Sequence, residues 1–312
     1  MPSASRIPID HRAFGPLPVR MVTLGGGDEQ MAVHLAGRLT TDKLPLICVA
    51  GYHRNMSDYS QFVGFFQREM GGEWPVVLLD LRGRGRSPGR ADAGDYGSPR
   101  DAADLSALAD ALGIGAAVFV GQGYGGQVTM ALAALRPALI AAAVLIDAGP
   151  ITDSRGLVRL RSNLKHIAAQ RGEAEVKSVF RQMLSTDYPG IGETQIQALA
   201  ERTHVVDKRG RANGLFDAAL LAQLEDFSHD DVLVAQWPLF NALAVAPLLL
   251  LRTQLTDQLR RETFDEMAHR QPDAVSLTIA GQGSPALLDH GDEVSAIARF
   301  VQQVMGLKPG GG

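Results

Sequence analysis

The sequence has few of the features that mark secreted, membrane-spanning or nucleic-acid-binding proteins. Its 312 residues include 1 cysteine, so no internal disulfide can form. Its net charge of −4 indicates neither a nucleic-acid partner nor an anionic membrane surface. No apolar run approaches the roughly 20 residues that a membrane span needs. The opening stretch MPSASRIPIDHRAFG lacks the apolar core of a secretory signal, so we expect a cytoplasmic protein.

The single cysteine lies in an apolar run. Cys48 belongs to LPLICVAG, a stretch typical of a buried strand, and we interpret it as a core residue rather than a nucleophile. The sequence shows no metal-ligand spacing and no cofactor fingerprint, so we expect neither a metal nor a cofactor.

Short apolar runs alternate with helical patterns in residues 1–150. LPLICVAG and PVVLLDLRG read as buried strands, and the helical SDYSQFVGFFQREM separates them. Continuous apolar strands that alternate with helices are typical of α/β proteins with a mostly parallel, doubly wound sheet. We therefore predict that residues 1–150 form the first part of such a core.

The character of the sequence changes at residue 151. Residues 151–238 are helical and polar without a convincing buried strand, whereas residues 239–312 return to strands and close with the amphipathic DEVSAIARFVQQVMG. This order predicts a helical cap or lid inserted between two parts of one core. We expect a small-molecule ligand in a pocket under that cap, and homo-oligomerisation is compatible with the sequence.

The stretch VFVGQGYGGQVTMALAAL, residues 118–135, joins an apolar strand pattern to a helix pattern through a glycine cluster. This is the context of the G-x-S-x-G nucleophile elbow, in which a serine sits on a strained turn. Here the frame runs from Gly121 to Gly125 and has Gly123 in the position of the serine.

Five stretches in the same order resemble the α/β-hydrolase superfamily, in particular its capped bacterial esterase- and lactonase-like members. They cover nearly the whole chain, and they are VAGYHRNMSDYSQF, LLDLRGRGRS, the elbow, WPLFNALAVAPLLLLRTQLTD and IAGQGSPALLDHGDEVSAIARFV. The resemblance implies an α/β-hydrolase fold and a triad in the chain order nucleophile, acid, histidine.

The resemblance places the acid at Asp257, the vacant nucleophile position at Gly123 and the vacant histidine position at Ser284. We expect Ser284 to lie within side-chain reach of Asp257. Asp257 could also serve only as a helix cap or a solvated turn residue. His290, six residues after Ser284, is either a solvated histidine near a helix N-terminus or, through a shifted loop, a substitute base near Asp257.

The resemblance also implies that anion-binding geometry is retained. The backbone N–H groups of Tyr52 and Tyr124 match the two oxyanion-hole donors, and such a pair binds an anion without any catalytic side chain. We expect Tyr52, His53, Tyr124 and Trp237 at the ligand pocket. The structural alternatives are a loop-ordering hydrogen bond for His53 and packing at the cap hinge for Trp237.

Glycine offers no nucleophilic atom, and acyl transfer by this type of site requires one together with a base. We therefore expect a non-hydrolytic pseudoenzyme or small-molecule-binding protein. Two alternatives remain open. One is an enzyme without covalent serine catalysis, such as a lyase, an isomerase or a water-mediated hydrolase using Asp257 or His290. The other is an ester or lactone hydrolase with a rearranged site.

Overall fold

The computed structural model describes residue 7, residues 11–289 and residues 291–307. The strands in these residues are β1 Arg20–Thr23, β2 Gln30–Ala36, β3 Leu46–Val49, β4 Val76–Leu79, β5 Ala117–Gln122, β6 Ile140–Ile146, β7 His204–Val206, β8 Ala212–Gly214, β9 Leu248–Thr253 and β10 Val275–Ile279. The helices are α1 Phe62–Glu69, α2 Ser98–Ala111, α3 Tyr124–Leu135, α4 Ser154–Ala169, α5 Glu173–Asp187, α6 Glu193–Glu201, α7 Ala218–Gln223, α8 Trp237–Asn241, α9 Arg261–Arg270 and α10 Asp292–Val304.

Eight of the described strands form one sheet in the order β1-β2-β4-β3-β5-β6-β9-β10. Strand β2 pairs antiparallel with β1 and β4, and every other pair in this sheet is parallel. The predicted mostly parallel α/β sheet is confirmed. In a parallel sheet the carboxyl ends of the strands meet at one edge, and ligands bind beyond that edge.

Helices cover both faces of the sheet. On one face α2 and α3 contribute Leu105 and Val128 to a buried apolar cluster, and on the other α1 and α10 contribute Phe66 and Ile297. The central strands are buried along their whole length because both faces are covered. Cys48 is fully buried in β3, and that burial raises the pKa of its thiol, so its interpretation as a core residue is confirmed.

The segment between β6 and β9 contains helices α4 to α8 and also an antiparallel hairpin of β7 and β8. The sequence showed no convincing buried strand in this segment, and these two strands are three residues long with one buried residue each. Asp207 at the end of β7 accepts hydrogen bonds from the backbone N–H groups of Arg209 and Arg211, and Gly210 takes a positive φ of 72°. This turn chemistry closes the hairpin. The boundaries at residues 151 and 238 stay a prediction.

The end of this hairpin is tied to the core by backbone hydrogen bonds. Gly85 N donates to Leu215 O at 2.8 Å, and Asp217 N donates to Gly83 O at 2.7 Å. The side chain of Tyr96 adds a bond from its hydroxyl to Asp217 Oδ2 at 3.0 Å. The inserted segment is therefore fixed to the loop that follows β4. Among the described residues, no helix combines the length and apolar character required to cross a bilayer.

Candidate functional site

The turn between β5 and α3 has the geometry of a nucleophile elbow. Gly123 has φ 51° and ψ −116°, and its backbone N–H donates to Ile146 O at 2.8 Å. A side chain would be strained in this conformation, and glycine avoids that strain. Helix α3 packs so closely against the sheet that a Cβ atom on Gly125 would overlap Val49 O. The strand–turn–helix arrangement predicted from residues 118–135 is present.

The carboxamide of Gln258 fills the space beside Gly123. A Cβ built on Gly123 would lie 2.5 Å from Gln258 Oε1. Gln258 belongs to the loop after β9, where its backbone N–H donates to Thr256 Oγ1 at 3.1 Å. Sequence reasoning missed this residue, and its position directly after Asp257 was the available signal. A side chain at position 123 would require the end of Gln258 to move.

Asp257 forms an ion pair with the inserted segment. Its Oδ2 lies 2.6 Å from Arg159 Nε on α4, and Arg159 Nη1 is also 3.8 Å from Asp187 Oδ1. The expectation that Ser284 lies within side-chain reach of Asp257 stays a prediction. The Asp257 carboxylate itself is held by this arginine. An acid already paired with arginine is a poor partner for a catalytic histidine.

Ser284 lies near Asp147, which directly follows β6. Thr253 donates to this carboxylate twice, from its backbone N–H to Oδ1 at 2.7 Å and from its hydroxyl to Oδ2 at 2.6 Å, and the Ser284 side chain lies near enough to lower its pKa. Burial raises the pKa of Asp147 to about 6, although these hydrogen bonds act in the opposite direction. Sequence reasoning missed Asp147, and its place at the carboxyl end of a buried strand was the signal.

Two histidines belong to the same site, His53, which is half-buried, and His204, which is buried. Burial, with the charge of Arg54, lowers the pKa of His53 well below its usual value and that of His204 to about 3. The ring of Phe216 contacts both imidazoles edge-on, at centroid distances of 5.6 Å and 6.0 Å. His204 Nδ1 is 2.9 Å from Thr203 Oγ1, whereas His53 Nδ1 is buried without a partner in the described chain. The loop-ordering hydrogen bond considered for His53 is therefore not made by Nδ1, and otherwise stays a prediction.

The buried state of His204 has a consequence for acid stability. Because the folded protein keeps this imidazole neutral and the unfolded chain protonates it below pH 6.5, stability falls as pH decreases from about 6.5 toward 3. We expect His204→Phe to reduce the slope of the free energy of unfolding against pH by up to about 1.4 kcal/mol per pH unit between about pH 4 and 6. Urea denaturation at a series of pH values measures this slope for the unmodified protein and for His204→Phe. Equal slopes would contradict a neutral buried His204.

The two predicted anion-binding tyrosines use their side chains structurally. Their rings meet edge-on at a centroid distance of 5.3 Å. The Tyr52 hydroxyl donates to Leu220 O at 3.1 Å and Gln223 Oε1 at 3.0 Å on α7, and the Tyr124 hydroxyl donates to Asp101 Oδ2 at 2.8 Å. The backbone N–H groups of Tyr52 and Tyr124 stay the predicted anion-binding pair.

A cavity of about 200 Å³ lies at this strand edge. It brings together residues from the strand ends and from the inserted segment. The predicted residues among its lining are Tyr52, His53, Gly123, Tyr124, Asp257 and Ser284, and the missed ones include Asp147, His204 and Gln258. An apolar wall comes from α4, α5 and α6, namely Leu157, Leu160, Leu164, Ile167, Phe180, Met183, Leu184 and Leu199.

One predicted site residue within the described chain is not placed at this cavity. Trp237 does not line it within the described chain. The Arg270 guanidinium instead stacks over the Trp237 ring, 3.9 Å from the ring centroid, and Phe240 contacts this ring edge-on. Helix α8, which begins at Trp237, packs against α3. Trp237 therefore has a packing role, and its assignment to the cap hinge stays a prediction. His290 lies outside the described residues, and the described residues contain no cluster of side chains that could hold a metal ion.

Residues 46–297 match the profile of the Alpha/beta hydrolase family. The chain belongs to this family. A 3-hydroxybutyrate-oligomer hydrolase of Cupriavidus necator is 26% identical over 270 residues, which cover 84% of this chain and 90% of that protein. A putative carbamate hydrolase, RutD, of Pseudomonas syringae pv. syringae is 30% identical over 196 residues, covering 57% of this chain and 75% of that protein.

The crystal structure of an alpha/beta hydrolase from Novosphingobium aromaticivorans has the same fold. It is 30% identical to this chain, with a TM-score of 0.78, and the match covers 92% of this chain and 99% of that one. The predicted family resemblance and fold class are confirmed. The names of these relatives describe active hydrolases, and the residues at this chain's elbow determine whether the same chemistry applies here.

Proposed function

We propose that this alpha/beta hydrolase-family chain binds a small molecule and does not hydrolyse esters by a serine mechanism. The observation that carries this proposal is Gly123 at the elbow, with the carboxamide of Gln258 in the space that a nucleophile's side chain would need. Without an oxygen or sulfur atom at this position, no acyl-enzyme can form there. What remains is a cavity at the strand edge, where folds of this type bind ligands.

The other two triad positions support the same proposal. Ser284, at the predicted histidine position, lies near Asp147 and supplies no base. Asp257, the predicted acid, is paired with Arg159. Because triad members act as a unit, the loss of the nucleophile removes the selection that keeps the base and the acid. These changes fit a family member whose pocket serves binding.

The alternative is an enzyme that activates water without a covalent intermediate, and the hydrolase names of the relatives favour it. A water-mediated route needs a base at the floor of the cavity. Asp147 has a raised pKa there, but two hydrogen bonds from Thr253 occupy its carboxylate oxygens. This geometry favours binding over catalysis.

Turnover of small activated esters distinguishes the two proposals. We expect p-nitrophenyl acetate and butyrate to be hydrolysed by the unmodified protein no faster than by its Asp147→Asn variant, since neither has a functional nucleophile and base. The release of p-nitrophenol at pH 7.5 measures both rates. Saturable turnover by the unmodified protein that is lost in Asp147→Asn would contradict the binding proposal and support water activation.

A further inference from the structure

The outer side of β10 is an unpaired strand edge. Strand β10 is the last of the eight-stranded sheet and pairs with β9 on one side, and no described strand lies on its other side. Val275 and Leu277 of this strand are 44% and 42% exposed. A strand edge presents a row of backbone N–H and C=O groups to which a further strand can bond. Another strand can therefore extend the sheet at this position.

Strand β10 lacks the features that usually protect such an edge. Proteins block exposed strand edges with charged side chains, proline, bulges or very short strands. The sequence of β10, VSLTI, has neither a charge nor a proline and is 5 residues long, and its register with β9 is continuous. The opposite edge strand, β1, has 4 residues and begins with Arg20. The unprotected edge of β10 thus favours pairing.

The backbone groups that face outward from β10 belong to Ser276 and Thr278. Ile279 O accepts a hydrogen bond at 2.8 Å from Gln254 N, which directly follows β9, so the backbone of Ile279 faces β9. Backbone direction alternates along a strand, so the backbone of Leu277 also faces β9 and those of Ser276 and Thr278 face away from it. The outer edge therefore presents two backbone donors and two acceptors.

A second copy of β10, antiparallel to the first, matches this pattern. With Leu277 opposite Leu277 of the second copy, all residues of the strand are paired, and Ser276 lies opposite Thr278 on either side of the centre. Opposed residues that face each other exchange two backbone hydrogen bonds, so these two pairs form four bonds. The pattern is the same from either copy, as a two-fold axis requires.

The side chains are complementary in the same register. Val275, Leu277 and Ile279 lie on one face of the sheet, and Ile279 shares an apolar cluster with α10 on that face. Leu277 meets its own copy, and Val275 lies opposite Ile279. Apolar side chains that are exposed in a single copy therefore contact one another across the two strands, which stabilises the pairing.

We propose that the protein forms a two-fold dimer in which β10 pairs antiparallel with β10 of a second copy and joins the two sheets. Charge does not oppose this pairing, because residues 274–288 are uncharged and Asp273 lies opposite Gly281 in this register. Two strands of about 17 Å bury less area than the roughly 1,200 Å² of a standard interface. We therefore expect a reversible dimer with a Kd on the order of 10 μM.

A cysteine at the two-fold axis tests the register. The Cα atoms of opposed residues that exchange no hydrogen bonds are about 4.5 Å apart, a distance that a disulfide spans. Leu277→Cys should therefore form a covalent dimer when diamide oxidises its thiol, whereas the two copies of Thr278→Cys would be about 8 Å apart and should not. Native Cys48 is fully buried, and Met21→Cys on β1, at a position that is 43% exposed, is the matched control. Non-reducing electrophoresis measures the rates.

Proline at position 278 tests the backbone bonds. The N–H of Thr278 faces outward, so Thr278→Pro removes a bond to the second copy and keeps those to β9. Sedimentation velocity over a range of concentrations should show dimers of the unmodified protein and of Thr278→Ala, which keeps the N–H. We expect Thr278→Pro to raise the dimer Kd at least about tenfold. Leu277→Lys, which brings two charges together at the axis without changing the backbone, should raise it similarly.

Three results would overturn the inference. The first is a protein that stays monomeric at concentrations up to about 500 μM. The second is a dimer whose Kd is unchanged in Thr278→Pro and Leu277→Lys variants with unaltered circular dichroism, and the third is cross-linking of Leu277→Cys no faster than that of Met21→Cys. Either of the last two places the interface elsewhere. None of them affects the proposed binding function, which rests on Gly123 and its cavity.

Discussion

Gly123→Ser combined with Ser284→His is expected to create hydrolysis of p-nitrophenyl acetate, whereas each single substitution is expected to give no rate above background. A serine without a base stays protonated and is a weak nucleophile, and a histidine without a serine has no hydroxyl to activate. A positioned general base contributes about 10²–10⁴-fold, so the double variant should exceed either single variant by about that factor. Spectrophotometric release of p-nitrophenol measures it.

The acid of this restored triad is expected to be Asp147. A histidine at position 284 would replace a serine that lies near the Asp147 carboxylate, while Asp257 is paired with Arg159. Added to the double variant, Asp147→Asn should remove most of the new activity, about 10²-fold or more. The matched Asp257→Asn should change it by less than about threefold. A larger loss with Asp257→Asn, in variants whose circular dichroism is unchanged, would contradict this assignment.

Gln258 should limit the restored activity. Its Oε1 is 2.5 Å from the Cβ position of residue 123, so a serine there competes with the carboxamide for space. Gln258→Gly in the double variant should therefore raise the rate further. The serine should also destabilise the fold by about 1–3 kcal/mol, because φ at this position is 51°.

Arg84→Met is expected to destabilise the protein by about 3–5 kcal/mol. The guanidinium is fully buried, and its Nε and Nη1 each donate at 2.8 Å, to Tyr52 O and Arg82 O. Nη1 also lies 3.2 Å from Asp101 Oδ2, whose side chain is fully buried. Removing the arginine leaves carbonyl oxygens and a carboxylate partly uncompensated away from water. Urea denaturation followed by circular dichroism measures the change.

Arg100→Met is the matched control. Arg100 joins the same network of charges through Asp104 and Glu29, but its side chain is 43% exposed. An exposed ion pair contributes about 0–1 kcal/mol, so this variant should lose no more than that. If Arg84→Met and Arg100→Met lower the free energy of unfolding equally, burial does not set the strength of this network. Since Arg84 holds the backbone of Tyr52, its loss should also loosen the loop that lines the cavity.

The elements that local sequence determines were predicted well. Continuous apolar strands and the glycine cluster around Gly123 specify a parallel sheet and a tight turn, because backbone conformation at each position depends on a few neighbouring residues. The structure has both, and it places Tyr52, His53 and Ser284 at one strand edge with Gly123.

What the sequence did not reveal are contacts between distant segments. Asp257 pairs with Arg159 from α4, and Ser284 lies near Asp147 at the end of β6, and no local pattern specifies either contact. The place of Gln258 depends on the path of the loop after β9. The β7–β8 hairpin was missed because its strands are three residues long, too short for an alternating pattern to be distinguished from a helix end.

The most direct test of the account is the intact mass of the protein after incubation with a fluorophosphonate, which phosphonylates an activated serine. The account predicts that the unmodified protein, with Gly123 at its elbow, keeps its mass, while the Gly123→Ser, Ser284→His double variant gains the mass of one phosphonyl group at residue 123. Stoichiometric labelling of the unmodified protein at any serine, coupled to ester turnover, would contradict the claim that serine catalysis has been lost.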